Sequence, residues 1–144
     1  MTVEENLELM RTLDNAWNSQ DWEVFRKRHA ENTAVYWPGQ PEPTRGRDNH
    51  EAESRQFFKM VENSLENNPY KVMFGQGDWT CTIANWKGKM IGPMTDPDGK
   101  TIPATNKSFE LEFCTVARWQ NGEIVEEKLF YDQVGLLKQI GVMP

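Results

Sequence analysis

The stretch FYDQVGLLKQIG at residues 130–141 sets Asp132 at the end of a predicted strand, beside aromatic residues and just before an apolar helix. A carboxylate at such a junction can cap the helix by accepting hydrogen bonds from the amides of Val134 or Gly135. It can also lie in apolar surroundings that raise its proton affinity, so that it exchanges a proton near neutral pH. The residue pattern favours the cap and leaves the acid/base role open.

Two predicted strands lead into this stretch, at residues 107–119 and 123–132. They are joined at Gln120-Asn121-Gly122, where Asn-Gly suits the positive φ angles of a tight hairpin. Further upstream, alternation with a period of two over residues 70–83 predicts consecutive antiparallel strands. The second half of the chain is therefore predicted to be an antiparallel sheet.

The first half of the chain is predicted to be mainly helical. Residues 3–17 carry apolar side chains at three- or four-residue spacing, as in an amphipathic helix. Asp21 can cap a second, short helix that includes His29. Asp48 and Glu51 fit the capping box of a third helix, which we expect to run to about residue 67 and to be the longest. A short strand at residues 33–37, expected at a sheet edge, lies between the second and third helices.

Residues 87–106 are rich in glycine and proline but also apolar, so they do not resemble a solvated linker. They fit either a mobile flap over a pocket or a long hairpin extension packed on its own chain or on a second subunit. The sequence does not choose between these structures.

Composition limits the function classes. The 144 residues suffice for one domain, so we expect residues 1–144 to form a single domain. The net charge is −6 and no basic run interleaves with aromatic residues, so we expect neither nucleic acid nor a membrane as a partner. Cys81 and Cys114 form no CxxC pair and no apolar N-terminal segment is present, which predicts a reduced, cytoplasmic setting.

The sequence offers few groups for metal or cofactor chemistry. Its two histidines are His29 and His50, and it has no HExxH motif, no cysteine cluster and no glycine pattern of a phosphate-binding or dinucleotide-binding loop. We therefore predict catalysis without a cofactor, by a carboxylate whose surroundings raise its proton affinity.

The closing stretch, with Asp132 followed by Leu-Leu-x-Gln-Ile-Gly at residues 136–141, resembles the SnoaL-like polyketide cyclases of the nuclear-transport-factor-2-like superfamily. The resemblance extends over the whole chain. It implies an α+β fold in which a curved antiparallel or mixed sheet wraps around three N-terminal helices as a cone with one deep cavity, followed by a short C-terminal helix. It also implies a homodimer, and an aspartate in the cavity that acts as the acid/base of an aldol ring closure. We carry that role to Asp132.

By period two, Lys128, Phe130 and Asp132 share one strand face, and Glu127, Leu129 and Tyr131 share the other. The first of these faces is expected to line the cavity, with Lys128 depressing the pKa of the aspartate or holding an anionic substrate. Lys128 stands where the family commonly has a tryptophan, which predicts a different ligand.

Two further residues are candidates for stabilising an enolate. His50, near a helix N-terminus, can polarise a substrate carbonyl as a neutral imidazole, or it can be a partly exposed first-turn residue. Tyr36 offers a hydroxyl as an oxyanion donor. His29 is predicted to be a hydrogen-bonded core or rim histidine.

The predicted substrate is a small apolar or aromatic molecule, because strand aromatics can line a pocket as well as fill a core. The candidate substrate-binding residues are Trp37, Phe57, Trp79, Trp86, Phe113, Lys128 and Phe130. The first hypothesis is an enzyme that abstracts a proton next to a carbonyl. The alternative is a non-catalytic module of the same fold that binds a small ligand or a protein.

Overall fold

The computed structural model describes all residues 1–144. Helices and strands follow in the order α1 Val3–Ser19, α2 Trp22–Lys27, β1 His29–Tyr36, β2 Thr44–Arg45, α3 Arg47–Met60, β3 Val61–Glu66, β4 Val72–Gln76, β5 Trp79–Met90, β6 Met94–Thr95, β7 Thr101–Ile102, β8 Ser108–Gln120, β9 Glu123–Phe130 and α4 Gln133–Gln139. The predicted α+β class, with three N-terminal helices and a short C-terminal helix, is confirmed.

Seven strands form one mixed sheet in the order β2-β1-β9-β8-β5-β3, with β4 also paired to β5. Strands β1 and β9 run parallel, and the other pairs are antiparallel. Helix α1 packs against β3, β4 and β5, and α3 packs against β1 and β3. One face of the curved sheet therefore packs around the helices. The space between this face and the helices contains a cluster of buried polar side chains.

Local sequence accounts for several element boundaries. Helix α1 begins with a capping box between Thr2 and Glu5. Asp21 caps α2 by accepting a hydrogen bond from the amide of Val24, as predicted. The β8–β9 hairpin turns at Asn121, with φ 51°, and Gly122, with φ 80°, which confirms the tight Asn-Gly turn.

The prediction for the third helix is wrong at both ends. Helix α3 begins after Gly46 without a side-chain cap, because Asp48 and Glu51 instead bind the guanidinium of Arg26. It ends at Met60, and α1 is longer. Residues 61–66 form β3, whose backbone groups pair with β5 along six residue positions. Their apolar spacing of four fits one face of a strand as well as one face of a helix.

Two other boundaries differ from expectation. His29 is the first residue of β1, not part of α2. Strand β1 is eight residues long and pairs on both sides, but its outer neighbour β2 has only two residues. Residues 94–102 form the small β6–β7 hairpin, and Met94 and Ile102 pack against the core. This segment is a hairpin extension packed on its own chain.

None of the four helices combines the length and the apolar character that a membrane span requires.

Candidate functional site

A β-bulge in β9 turns Glu127 towards the helices. Ile124 pairs with Trp119 and Glu126 pairs with Arg118, so Val125 is an extra residue without a partner on β8. Because of this insertion, Ile124 and Glu127 both face inward although they are three positions apart. The Glu127 side chain is consequently buried, with the residue 3% exposed.

Both histidines of the chain bind the same oxygen of Glu127. Nε2 of His29 lies 2.9 Å from Oε1, and Nε2 of His50 lies 3.2 Å from it. The outer nitrogens are held as well: Nδ1 of His29 contacts the carbonyl oxygen of Phe25 at 2.7 Å, and Nδ1 of His50 contacts Oε2 of Glu53 at 2.9 Å. We call His29, His50 and Glu127 the His–Glu cluster. Their facing atoms lie within 4.8 Å of one another, close enough to be a candidate metal-ligand set.

Charge is stabilised inside this cluster in spite of burial. Burial by itself would lower the pKa of His50, but hydrogen bonds to Glu127 and Glu53 outweigh that effect and raise the pKa to about 9. Burial by itself would raise the pKa of Glu127, but the charge and hydrogen bonds of His29 and His50 hold it well below its ordinary value. At neutral pH the cluster therefore contains a carboxylate and an imidazolium.

A second carboxyl group, that of Asp14, lines the same cavity from helix α1. The residue is 6% exposed, and its Oδ2 accepts a hydrogen bond from the hydroxyl of Tyr70 at 2.6 Å. Burial raises the pKa of Asp14 to about 7; the hydrogen bond from Tyr70 opposes this rise, and the negative charge of Glu127 adds to it. Asp14 is thus a carboxyl group that exchanges its proton near neutral pH.

The cavity between α1, the histidines and the sheet is narrow. The space open to the centre of a water molecule is about 40 Å³, enough for water but not for a bicyclic ligand. Its lining is Met10, Leu13, Asp14, Trp17, Phe25, His29, His50, Leu65, Trp86, Phe113, Thr115, Glu127 and Leu129. Most of this wall is apolar, so the polar groups of Asp14 and the His–Glu cluster face each other in a water-poor space.

A wider groove lies outside the cavity, next to Glu53, with about 360 Å³ of open space. Glu53 joins the two regions, because its carboxylate accepts hydrogen bonds from Nε1 of Trp37 at 2.8 Å and Nδ1 of His50 at 2.9 Å. Phe57 and Tyr131 line the groove and pack on Trp86 of the cavity wall, with ring centroids 6.1 and 4.9 Å away. These three rings form an aromatic layer between groove and cavity.

Asp132 does not lie in the cavity. It is exposed at the start of α4, where its Oδ1 accepts a hydrogen bond from the amide of Gly135 at 2.9 Å. The helix-cap interpretation is therefore confirmed, and the expectation of a cavity carboxylate at this position is wrong. The physical reason is the orientation of β9, which turns the face of Glu127 and Leu129 inward and the face of Asp132 outward.

The strand orientation also places three other candidates outside. Lys128 and Tyr36 pair across β9 and β1, and Nζ of Lys128 lies 5.3 Å from the centre of the Tyr36 ring on the outer face. Phe130, on the same face as Lys128, is 53% exposed. None of the three lines the cavity or the groove. The predicted positions of Tyr36, Lys128 and Phe130 in a substrate pocket are wrong for this reason.

The remaining candidates fall into three places. His50, Trp86 and Phe113 line the cavity, whereas Trp37 and Phe57 line the groove. Trp79 lies on the outer face of the sheet beside Phe74 and Cys81, because the inward side chains of β5 are the even-numbered ones. His29 is buried and hydrogen-bonded, as expected for a core histidine.

Sequence reasoning missed three carboxylates: Asp14, Glu53 and Glu127. A signal existed for two of them. Asp14 follows Leu7 by seven positions and Met10 by four, so it lies on the apolar stripe of α1. Glu127 shares a period-two face with Leu129 and Tyr131. An acidic residue on an otherwise apolar face predicts a buried, partnered or functional carboxylate.

Solved structures share this architecture at low sequence identity. A candidate SnoaL-like polyketide cyclase from Jannaschia sp. CCS1 superposes with a TM-score of 0.79 at 20% identity, covering 98% of this chain and 94% of that one. A nuclear-transport-factor-2-like protein from Burkholderia xenovorans LB400 gives 0.75 at 18% identity, with 98% and 99% covered. A protein with a ketosteroid-isomerase-like fold from Catenulispora acidiphila gives 0.75 at 17% identity, with 95% and 94% covered.

The curved sheet around three helices and these neighbours together define a protein with the nuclear-transport-factor-2-like cone fold. Residues 7–140 match the family model of the SnoaL-like polyketide cyclases, so the chain belongs to that family. No curated protein matches the sequence.

Proposed function

We propose that this protein abstracts a proton next to a carbonyl group of an apolar small molecule, with Asp14 as the acid/base and the His–Glu cluster stabilising the enolate. The observation that carries the proposal is that the Asp14 carboxyl and the His–Glu cluster line one buried, mainly apolar cavity. Aldol cyclisation, isomerisation and carbon–carbon lyase reactions all pass through such an enolate. Membership of a polyketide cyclase family supports this class of chemistry.

Asp14 suits the role of base because, with a pKa of about 7, a large fraction of its carboxyl groups is present in each protonation state at neutral pH. The nearby Glu127 has its pKa shifted in the opposite direction. When the surroundings of two carboxyl groups shift their pKa values in opposite directions, the two groups can have different catalytic roles. One exchanges the proton and the other remains charged. Here Asp14 exchanges the proton and Glu127 orients the two imidazoles.

The His–Glu cluster suits the role of electrophile. His50 remains protonated at neutral pH, since its pKa is raised to about 9. A substrate oxygen that enters the cavity can replace Oε1 of Glu127 as the acceptor of an imidazole N–H. A prearranged donor of this kind in a water-poor site stabilises developing negative charge far more than it does in water.

The substrate enters from the groove in this proposal. The groove has the volume of a small-ligand pocket, whereas the cavity holds only water-sized groups. The ring system of the substrate lies against Trp37 and Phe57, and its carbonyl end passes the aromatic layer to reach Asp14. Movement of the layer is therefore part of the catalytic cycle.

The test is a thermal-shift screen of aromatic polyketides, ketosteroids and phenolic ketones, followed by mass spectrometry of each bound compound for turnover. Wild type, Asp14→Asn and the control Asp132→Asn are compared. We expect turnover by wild type and the control, and binding with at least about 100-fold slower turnover by Asp14→Asn. Binding without turnover in all three proteins would contradict the enzyme and favour a non-catalytic binding module.

A further inference from the structure

We propose that His29, His50 and Glu127 form a binding site for a divalent transition-metal ion. This inference goes beyond the proposed function and concerns a different state of the same cluster, in which an ion on the two Nε2 atoms takes the place of the N–H groups that face Glu127. The three residues are buried, and their candidate ligand atoms lie within 4.8 Å of one another. Two imidazole nitrogens and one carboxylate are a ligand set used by zinc and by non-haem iron.

The outer shell of the cluster is arranged as in metal sites. Both histidines turn Nε2 towards Glu127, and both engage Nδ1 outside: His29 with the carbonyl oxygen of Phe25 and His50 with the carboxylate of Glu53. Metal-binding histidines almost always donate their second N–H to a carbonyl or carboxylate, which fixes the ring and leaves the other nitrogen free to coordinate. Both rings here have that arrangement.

The hydrogen-bonding pattern leaves two ways to satisfy the imidazoles. Each of the four ring nitrogens faces an oxygen acceptor. Each Nε2 atom reaches Glu127 either through a proton, as a hydrogen bond, or through a metal ion that takes the place of that proton. A divalent ion between the Nε2 atoms and Glu127 leaves both Nδ1 contacts in place.

The spacing between the carboxylate and each imidazole fits this exchange. Oε1 of Glu127 lies 2.9 and 3.2 Å from the two Nε2 atoms, and donors bound to one zinc ion at about 2.0–2.2 Å are roughly 3–3.5 Å apart. The three candidate ligand atoms together span up to 4.8 Å, so binding also requires the two imidazole nitrogens to move closer to each other. The adjoining cavity has room for a water molecule as a further ligand. Imidazole donors favour zinc, cobalt, nickel or iron over magnesium and calcium.

The experiment uses tag-free protein from which metal has been removed with a chelator. This protein is titrated with Co²⁺, and binding is measured by visible absorption and by calorimetry. Because His29 and His50 are the only histidines, imidazole coordination can arise only here. We expect a cobalt absorption band that saturates at one ion per chain and is displaced by Zn²⁺. Absence of the band in folded wild type at millimolar Co²⁺ would overturn the proposal.

Variants locate the ion. His50→Gln and Glu127→Gln should remove the band, whereas Glu126→Gln, one residue away, and a Cys81→Ser/Cys114→Ser double variant should keep it. Glu53→Gln preserves all three ligands and should weaken binding by about 10- to 100-fold, which keeps the test informative if a ligand variant fails to fold. Binding that persists unchanged in His50→Gln and Glu53→Gln, or that is lost with the cysteines, would overturn the site. No substrate is used, so the result is separate from the test of the proposed function.

Discussion

His29 and His50, 21 residues apart in the sequence and on different elements, donate to one oxygen of Glu127 at 2.9 and 3.2 Å. Glu127 reaches them because the bulge at Val125 turns it inward. The cluster thereby connects α3 to the parallel pair β1–β9, opposite the Asp14 carboxyl of α1. Stability and proposed chemistry both depend on this contact.

Replacing Glu127 by Gln should destabilise the fold strongly. The variant removes the buried carboxylate that both histidines share and leaves Glu53 as the one carboxylate that contacts His50. Breaking a buried ion pair typically costs about 3–5 kcal/mol. The free energy of unfolding from urea titration measures the effect. Glu126→Gln is the matched control: Glu126 forms a half-exposed pair with Arg118, so we expect a loss below about 1 kcal/mol. Equal effects of the two substitutions would contradict a buried charge cluster.

Asp14→Asn should stabilise the protein at neutral pH. The pKa of Asp14 is raised from 3.8 to about 7 in the folded state, so between these pH values only the folded protein keeps the proton. The free energy of unfolding of the wild-type protein therefore decreases as pH rises through this window. The total decrease is roughly 4 kcal/mol. An asparagine has no proton to release, so the variant lacks this decrease.

Urea unfolding of wild type and Asp14→Asn from about pH 4 to pH 8 measures this difference. The two curves should nearly coincide at the acid end and separate as pH rises, with the variant more stable. A constant difference across the range would show that Asp14 does not titrate there. A gain in stability on removing a polar group is typical of residues kept for activity.

Asp132→Ala should reduce stability without reducing turnover. Its carboxylate caps α4, and removal of a helix N-cap costs about 1 kcal/mol. Asp132→Asn should be almost neutral, because asparagine caps equally well. Thermal or urea unfolding, together with turnover of a compound found in the screen, tests both points. Loss of turnover in Asp132→Asn with normal stability would restore Asp132 as a catalytic group.

Local sequence was sufficient wherever neighbouring residues determine the geometry. The Asn121-Gly122 turn, the amphipathic helix α1 and the capping role of Asp132 all follow from a few adjacent positions. Family resemblance added the cone fold. The end of α3 was not predictable in this way, because the spacing of Val61 and Leu65 satisfies a helix and a strand alike, and pairing with β5 decides between them.

The site was harder to predict than the fold because it depends on strand orientation. The period-two alternation predicts that Glu127 and Lys128 lie on opposite faces of β9, but it does not predict which face points inward. The bulge at Val125 determines which side chains of β9 point inward, and this bulge is visible only in the pairing with β8. Asp14 was visible on the apolar stripe of α1, although only the tertiary structure brings it to the histidines.

The most direct test of the role of Asp14 is exchange of the α-hydrogens of 2-tetralone, an apolar bicyclic ketone, for deuterium in D₂O, followed by proton NMR. Wild type should accelerate exchange above the uncatalysed rate and saturate with ketone. Asp14→Asn should lose at least about 100-fold of this acceleration, and Asp132→Asn should retain it. Exchange by Asp14→Asn at the wild-type rate, or no acceleration by wild type, would contradict proton abstraction by Asp14.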